Sequence, residues 1–113
     1  MILFSKKSTS ENDKIVVFSA TENGVEKGEC ILDLRMRFAE VTYVTYDADM
    51  PHITEGLIRT AFNYAANKGF YIGKCKCKNA YTVLERMNFE FKDDEYTNDI
   101  PSILMGKCCC ENK

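Results

Sequence analysis

Ile53-Thr54-Glu55-Gly56-Leu57-Ile58-Arg59-Thr60-Ala61-Phe62-Asn63-Tyr64-Ala65-Ala66-Asn67-Lys68-Gly69 is the stretch on which the fold turns. Leu57, Ile58, Ala61, Phe62 and Ala65 recur at one-three-four spacing and lay a single apolar stripe along a helix. Gly69 stops it, because a helix C-terminal cap favours left-handed backbone. Thr54 is the expected N-cap, and Glu55 suits the positive end of the helix dipole. Before this helix, Phe38 to Tyr46 reads as a strand apolar on both faces, hence central and covered on both sides. After it, Phe70 to Cys77 reads as a second strand. A strand-helix-strand unit makes that pairing parallel and its crossover right-handed.

Outward from this unit the pattern is mostly strand. Residues 1 to 5 form a short apolar strand, and the polar run Lys6 to Lys14 is a loop. Lys14 to Ala20 is rich in β-branched and aromatic residues and forms a strand. Thr21-Glu22-Asn23-Gly24 supplies a turn, and Gly28 to Leu34 the strand beyond it. On the C-terminal side, Ala80 to Met87 is a shorter helix. Phe89 to Lys92 and Ile103 to Cys108 pair as strands around the polar loop Asp93 to Asp99. The expected fold class is α/β (α+β): one domain over residues 1–113, built on a single mixed, mostly antiparallel sheet with helices on both faces.

Composition narrows the function. At 113 residues the chain has room for one modest core. Fifteen basic residues against 17 acidic ones give a formal charge of −2, so nothing draws it in bulk to nucleic acid or to an anionic membrane. His52 is the one histidine, which excludes multi-histidine metal sites and routes any Ser-His-Asp triad through that residue. The six cysteines stand at 30, 75, 77, 108, 109 and 110. Reduced thiols in a cytoplasm are the expectation, since Met1-Ile2-Leu3-Phe4-Ser5-Lys6-Lys7 has the wrong order for a secretory signal. No run approaches the roughly 18 apolar residues of a membrane helix. The edges of the sheet offer a surface for a homodimer.

Several residues are candidates for chemistry. Cys75 and Cys77, at i and i+2 of a strand, share one face, with Lys74, Lys76 and Lys78 on the other. They read as small buried hydrophobes, as a thiolate nucleophile activated by the lysines, or as part of a metal site with Cys108 to Cys110. Their spacing is not the Cys-x-x-Cys of structural zinc, and no metal is assigned. On the first of these readings both thiols are buried and reduced. Tyr81, like Tyr43, Tyr46 and Tyr71, stands either as a proton source or pocket wall, or as rim packing. The segment Val44 to Gly56 reads either as a plain connection or as a helix N-terminus that holds a phosphate.

Ile53-Thr54, Leu57-Ile58, Ala61-Phe62, Ala65 and Gly69, followed by Val83-Leu84-Glu85-Arg86-Met87-Asn88-Phe89 and Ile103-Leu104-Met105-Gly106-Lys107, resemble the GNAT superfamily of acetyl-CoA-dependent N-acetyltransferases. Ala39-Glu40-Val41 resembles the start of that fold's fourth strand. The resemblance spans roughly residues 14 to 108. It implies acetyl-CoA as cosubstrate and transfer of its acetyl group to the amine of a small molecule or peptide. It also implies pantetheine pairing with Val44, Thr45 and Tyr46, and pyrophosphate on amides around Ile53, Thr54, Glu55 and Gly56. Asn79 resembles the asparagine that helps hold the cofactor, and Glu40 stands where several members place a general base. Cys77 is the closest match to the cysteine of a small subgroup. The chain also departs from the pattern. Where the family writes Gln or Arg, two free positions, Gly, one free position and Gly or Ala, this chain has Asp49, Met50, Pro51, His52, Ile53 and Thr54. Leu84 takes the place of the tyrosine that protonates the leaving thiolate, and Asn88 that of a glycine. The competing expectation is a GNAT-shaped binding or assembly module that has lost its chemistry.

Overall fold

The computed structural model describes residues 1–105. Four antiparallel strands come first: β1 (Ile2–Thr9), β2 (Ile15–Glu22), β3 (Val25–Leu34) and β4 (Ala39–Val44). Asn23 and Gly24 both take positive φ, 54° and 81°, as the expected two-residue hairpin requires. β1 runs further than the sequence suggests, because Ser8 and Thr9 pair with Val17 and Val16 beyond a register shift at Lys7. The supposed loop therefore begins only after Thr9. Lys7 turns to Glu26 and Glu29 at 3.0 and 3.1 Å, giving the sheet a charged, irregular edge that resists pairing with another chain.

Helix α1 (Pro51–Asn67) starts a turn earlier than Thr54. Pro51 fits the first helical position, where an N–H has no partner to lose. The helix ends as expected: Gly69 has φ 94°, its N–H bonds the Ala66 carbonyl and the Phe70 N–H bonds that of Ala65, both at 3.0 Å. β5 (Ile72–Cys75) then lies parallel to β4. A 3₁₀ turn (Lys78–Ala80) leads into α2 (Tyr81–Arg86), which closes in the same way. Asn88 supplies the left-handed residue at φ 71°, with Asn88 N–H on Glu85 O and Phe89 N–H on Leu84 O, both 3.0 Å. Asparagine tolerates that conformation, so the glycine missing here costs the fold little.

The C-terminal segment folds differently from the expected strand pair. Asp93 and Asp94 both adopt positive φ, 54° and 66°, and make a tight hairpin between β6 (Glu90–Lys92) and β7 (Glu95–Asp99). Residues expected as loop thus form the strand that pairs with β5. Residues 100–105, whose second half was expected as strand, form α3 (Ile100–Met105). Asp99 caps it through Ser102, accepting from its N–H at 3.0 Å and its hydroxyl at 3.1 Å. Cys108, Cys109 and Cys110 lie outside the described residues.

Among the described residues seven strands form one sheet, in the order β1-β2-β3-β4-β5-β7-β6. Val16, Phe18, Ala20, Cys30, Leu32, Leu34, Ala39 and Val41 point to one face and are buried beneath α1. α3 shares that side, since a side chain on Gly73 would meet both Phe62 of α1 and Ile103. α2 docks on α1, with Arg86 2.8 Å from Glu55. The helices thus gather on one side, and the second layer expected over β4 is not found among the described residues. Opposite it, Ile15 and Tyr43 are exposed. Close approach of α1 to the sheet depends on small residues. A Cβ on Gly73 would lie 2.8 Å from Ile103 Cδ1 and from Phe62 Cε1. Gly73→Ala is expected to lower stability by about 1–3 kcal/mol through overpacking. Urea denaturation should show a smaller loss in an Ile103→Val background, where that Cδ1 is gone.

Candidate functional site

β4 and β5 stay paired for three residues: Ala39 with Gly73, Glu40 with Lys74, Val41 with Cys75. One more bond joins the Lys76 N–H to the Val41 carbonyl at 3.4 Å, and then the strands part. On the β3 side the register shifts between Ile31 and Leu32, so Thr42 bulges and Val44, opposite Cys30, returns to the buried face that Val41 occupies opposite Leu32. The chain leaving β5 moves toward α2, and a notch opens between the end of β4 and residues 77–82. Tyr46 and Thr82 face each other across it, 3.4 Å apart.

Cys77 lies in this notch, 8% exposed, and its thiol donates to the Val41 carbonyl at 4.0 Å. The Cys75 thiol and the Val44 backbone N–H both aim hydrogen bonds at that sulfur. The Cys75 bond chiefly, with help from Val44, draws the Cys77 pKa below the ordinary thiol value, against burial and the Glu40 charge. Cys75 is pushed well up by the bond it gives and by its own burial. Burial likewise raises Cys30, on the neighbouring strand. All three are free thiols and buried, as expected for 75 and 77. Among the described residues no cluster of histidine, cysteine or acidic side chains could hold a metal.

Glu40 points to the opposite face of β4 and is 3% exposed. Its two oxygens face Arg35 Nε at 3.7 Å and Lys76 Nζ at 3.6 Å. Those cations offset the cost of burying the carboxylate. Glu40 and Cys77 are close enough for the carboxylate to oppose ionisation of the thiol.

The other candidates are placed differently. Thr54 is 1% exposed and donates its hydroxyl to the Thr45 carbonyl at 2.5 Å, while the Thr45 N–H bonds Glu29 O at 3.0 Å. Both backbone groups of Thr45 are thus engaged within the chain. Glu55 grips Arg59 at 3.0 Å and Arg86 at 2.8 Å, and Arg59 also bonds the Leu104 carbonyl, so this carboxylate ties α1 to α2 and α3. Gly56 is covered by the Phe4 ring. Ile53 is buried in the core. Asn79 is exposed in the 3₁₀ turn, and Tyr81 opens α2 with its ring 52% exposed. Sequence reasoning missed Cys75 as a hydrogen-bond donor and Arg35 and Lys76 as partners of Glu40. The Cys-x-Cys spacing was a signal for the first. A shallow groove of about 350 Å³ lined by Arg59, Thr60, Asn63 and Leu104 contains none of the expected residues.

By sequence, no family model and no curated protein matches the chain. By shape it is similar to several solved acetyltransferases. The ribosomal-protein-S18-alanine N-acetyltransferase of Escherichia coli is 14% identical at a TM-score of 0.70, over 88% of this chain and 94% of that one. An N-acetyltransferase of Staphylococcus aureus Mu50 is 14% identical at 0.65, over 89% and 99%. A Desulfovibrio desulfuricans protein assigned to the GNAT family is 9% identical at 0.68, over 88% and 99%. The PaiA N-acetyltransferase of Thermoplasma acidophilum, in complex with coenzyme A, is 17% identical at 0.61, over 76% and 60%. The fold of this chain is GNAT-like. Among the described residues no helix is long and apolar enough to cross a membrane.

Cys77 should be the first of the described thiols to react. Its alkylation rate, followed by peptide mass spectrometry across a pH series, should reach half-maximum below the ordinary thiol range, because a lowered pKa keeps thiolate present at lower pH. Cys75→Ala should move that midpoint up. Equal rates at Cys30, Cys75 and Cys77 would contradict the arrangement.

Proposed function

We propose that this chain is an acyltransferase that takes an acetyl group from a thioester of the acetyl-CoA type and passes it to an amine. One observation carries the reading: the parting of β4 and β5 aims a backbone N–H, that of Val44, at the sulfur of a buried cysteine with a lowered pKa. A donor arm enters the notch along Val44 and Tyr46. The Cys77 thiolate attacks the donor carbonyl carbon, a new C–S bond forms, and the donor C–S bond breaks. The departing thiolate takes up the proton that Cys77 had released. The Val44 N–H, freed from the sulfur, stabilises the negative oxygen in passing.

The amine then attacks the acetyl-Cys77 carbonyl. The C–N bond forms, Cys77 leaves as thiolate, and the proton from nitrogen goes to Glu40 and on to solvent. Cys77 and Glu40 are the residues assigned to these steps. Tyr81 and Asn79 stand at the rim of the notch, where they contact the donor. The acceptor is an amine on a small molecule or peptide, and the setting is a reducing cytoplasm. A second reading, a binding module without chemistry, draws on Thr45: its backbone is engaged by Glu29 and Thr54 and is closed to a pantetheine.

The two readings separate on one experiment. Incubation with acetyl-CoA and intact-mass analysis should show one acetyl group on the wild-type chain, mapped to Cys77 and labile to hydroxylamine. Cys77→Ala should show none, and Glu40→Gln should load normally but release acetyl to an amine more slowly, by about 10²-fold. A chain that binds no acetyl donor and is never acetylated would support the module instead.

A further inference from the structure

The segment from Thr45 to Gly56 is where the GNAT resemblance puts a pyrophosphate, and its chemistry runs the other way. It holds Asp47, Asp49 and Glu55 and contains no lysine or arginine. Asp47 closes the turn on itself: its side-chain Oδ1 accepts the Asp49 N–H and its carbonyl the Met50 N–H, both at 2.9 Å. Pro51 has no N–H, and that of Ile53 bonds the Met50 carbonyl at 3.1 Å. Thr54, Glu55 and Gly56 lie inside α1, where the helical ladder uses their amides. The two arginines nearest on the helices, Arg59 and Arg86, hold Glu55. A diphosphate here meets two exposed carboxylates against one exposed imidazole, that of His52, and few backbone donors. The notch itself offers the groups that recognise a thioester, the Val44 N–H and the Cys77 sulfur.

We infer that this site selects its donor by the thioester and the arm beside it, and that acyl thioesters of the pantetheine class, without a nucleotide diphosphate, are substrates at least as good as acetyl-CoA. The inference rests on the acyl-transfer reading above and deepens it. The diphosphate of acetyl-CoA gains no lysine or arginine partner from this segment, and the Asp47 and Asp49 carboxylates repel it, most strongly at low salt.

The test compares acetyl-pantetheine with acetyl-CoA as donors to the full chain, with the second-order rate of Cys77 acetylation read by mass spectrometry. Acetyl-pantetheine should load Cys77 as fast as acetyl-CoA or faster. Asp47→Asn combined with Asp49→Asn should speed acetyl-CoA severalfold, most at low ionic strength, and leave acetyl-pantetheine unchanged. The Asp47→Asn change keeps an Oδ1 acceptor for the turn, and circular dichroism checks that the variant folds. A wild-type preference for acetyl-CoA of about tenfold or more would overturn the inference and leave acyl transfer standing. So would a double variant whose donor ratio does not move. If neither donor acetylates Cys77, acyl transfer and donor selection fall together.

Discussion

Two parallel strands cannot be joined by a tight turn, and the pairing of β4 with β5 is the constraint that organises this chain. It demands the α1 crossover, and α1 in turn supplies the apolar stripe over which the sheet curves. Because the pairing lasts only from Ala39 to Val41, the second half of β4 is left without a neighbour on that side. The bulge at Thr42 then sets which backbone groups face the gap. The notch is thus a by-product of sheet geometry, and Cys77, two residues past the end of β5, lines it.

Charge is distributed with the same economy. Glu40 sits between Arg35 and Lys76, and Glu55 between Arg59 and Arg86. Each of these two carboxylates meets two cations, which limits the desolvation cost of keeping it ionised. The two carboxylates do different work. Glu55 binds three helices together, whereas Glu40 lies on the face of the sheet that no described helix covers.

Much of this was legible in the sequence, for identifiable reasons. The α1 stripe, the Asn23-Gly24 hairpin and the Gly69 stop are local patterns whose physics is complete within a few residues. Ile103-Leu104-Met105 was not legible as helix, because a short apolar run fits a strand as well. The deciding signal was Asp99 with Pro101 two residues later, a helix start hidden behind an acidic hairpin. Thr54 resembles a cap for a related reason: its residue type suits one, but Pro51 suits a first helical residue better and starts α1 a turn earlier. At the site, the spacing of Cys75 and Cys77 was visible. The Val44 N–H directed at Cys77 was not, because it depends on a bulge that no side-chain pattern announces.

Phe4 has a consequence for how the chain assembles. Its ring occupies the space over Gly56, so the first strand and the crossover helix complete each other across half the sequence. A contact of such separation forms only after a long loop has closed. The hairpins of β1 to β4 gather from neighbouring residues, but the edge strand's aromatic waits for α1. The edge strand, although it pairs locally with β2, is therefore fully locked only once α1 has docked.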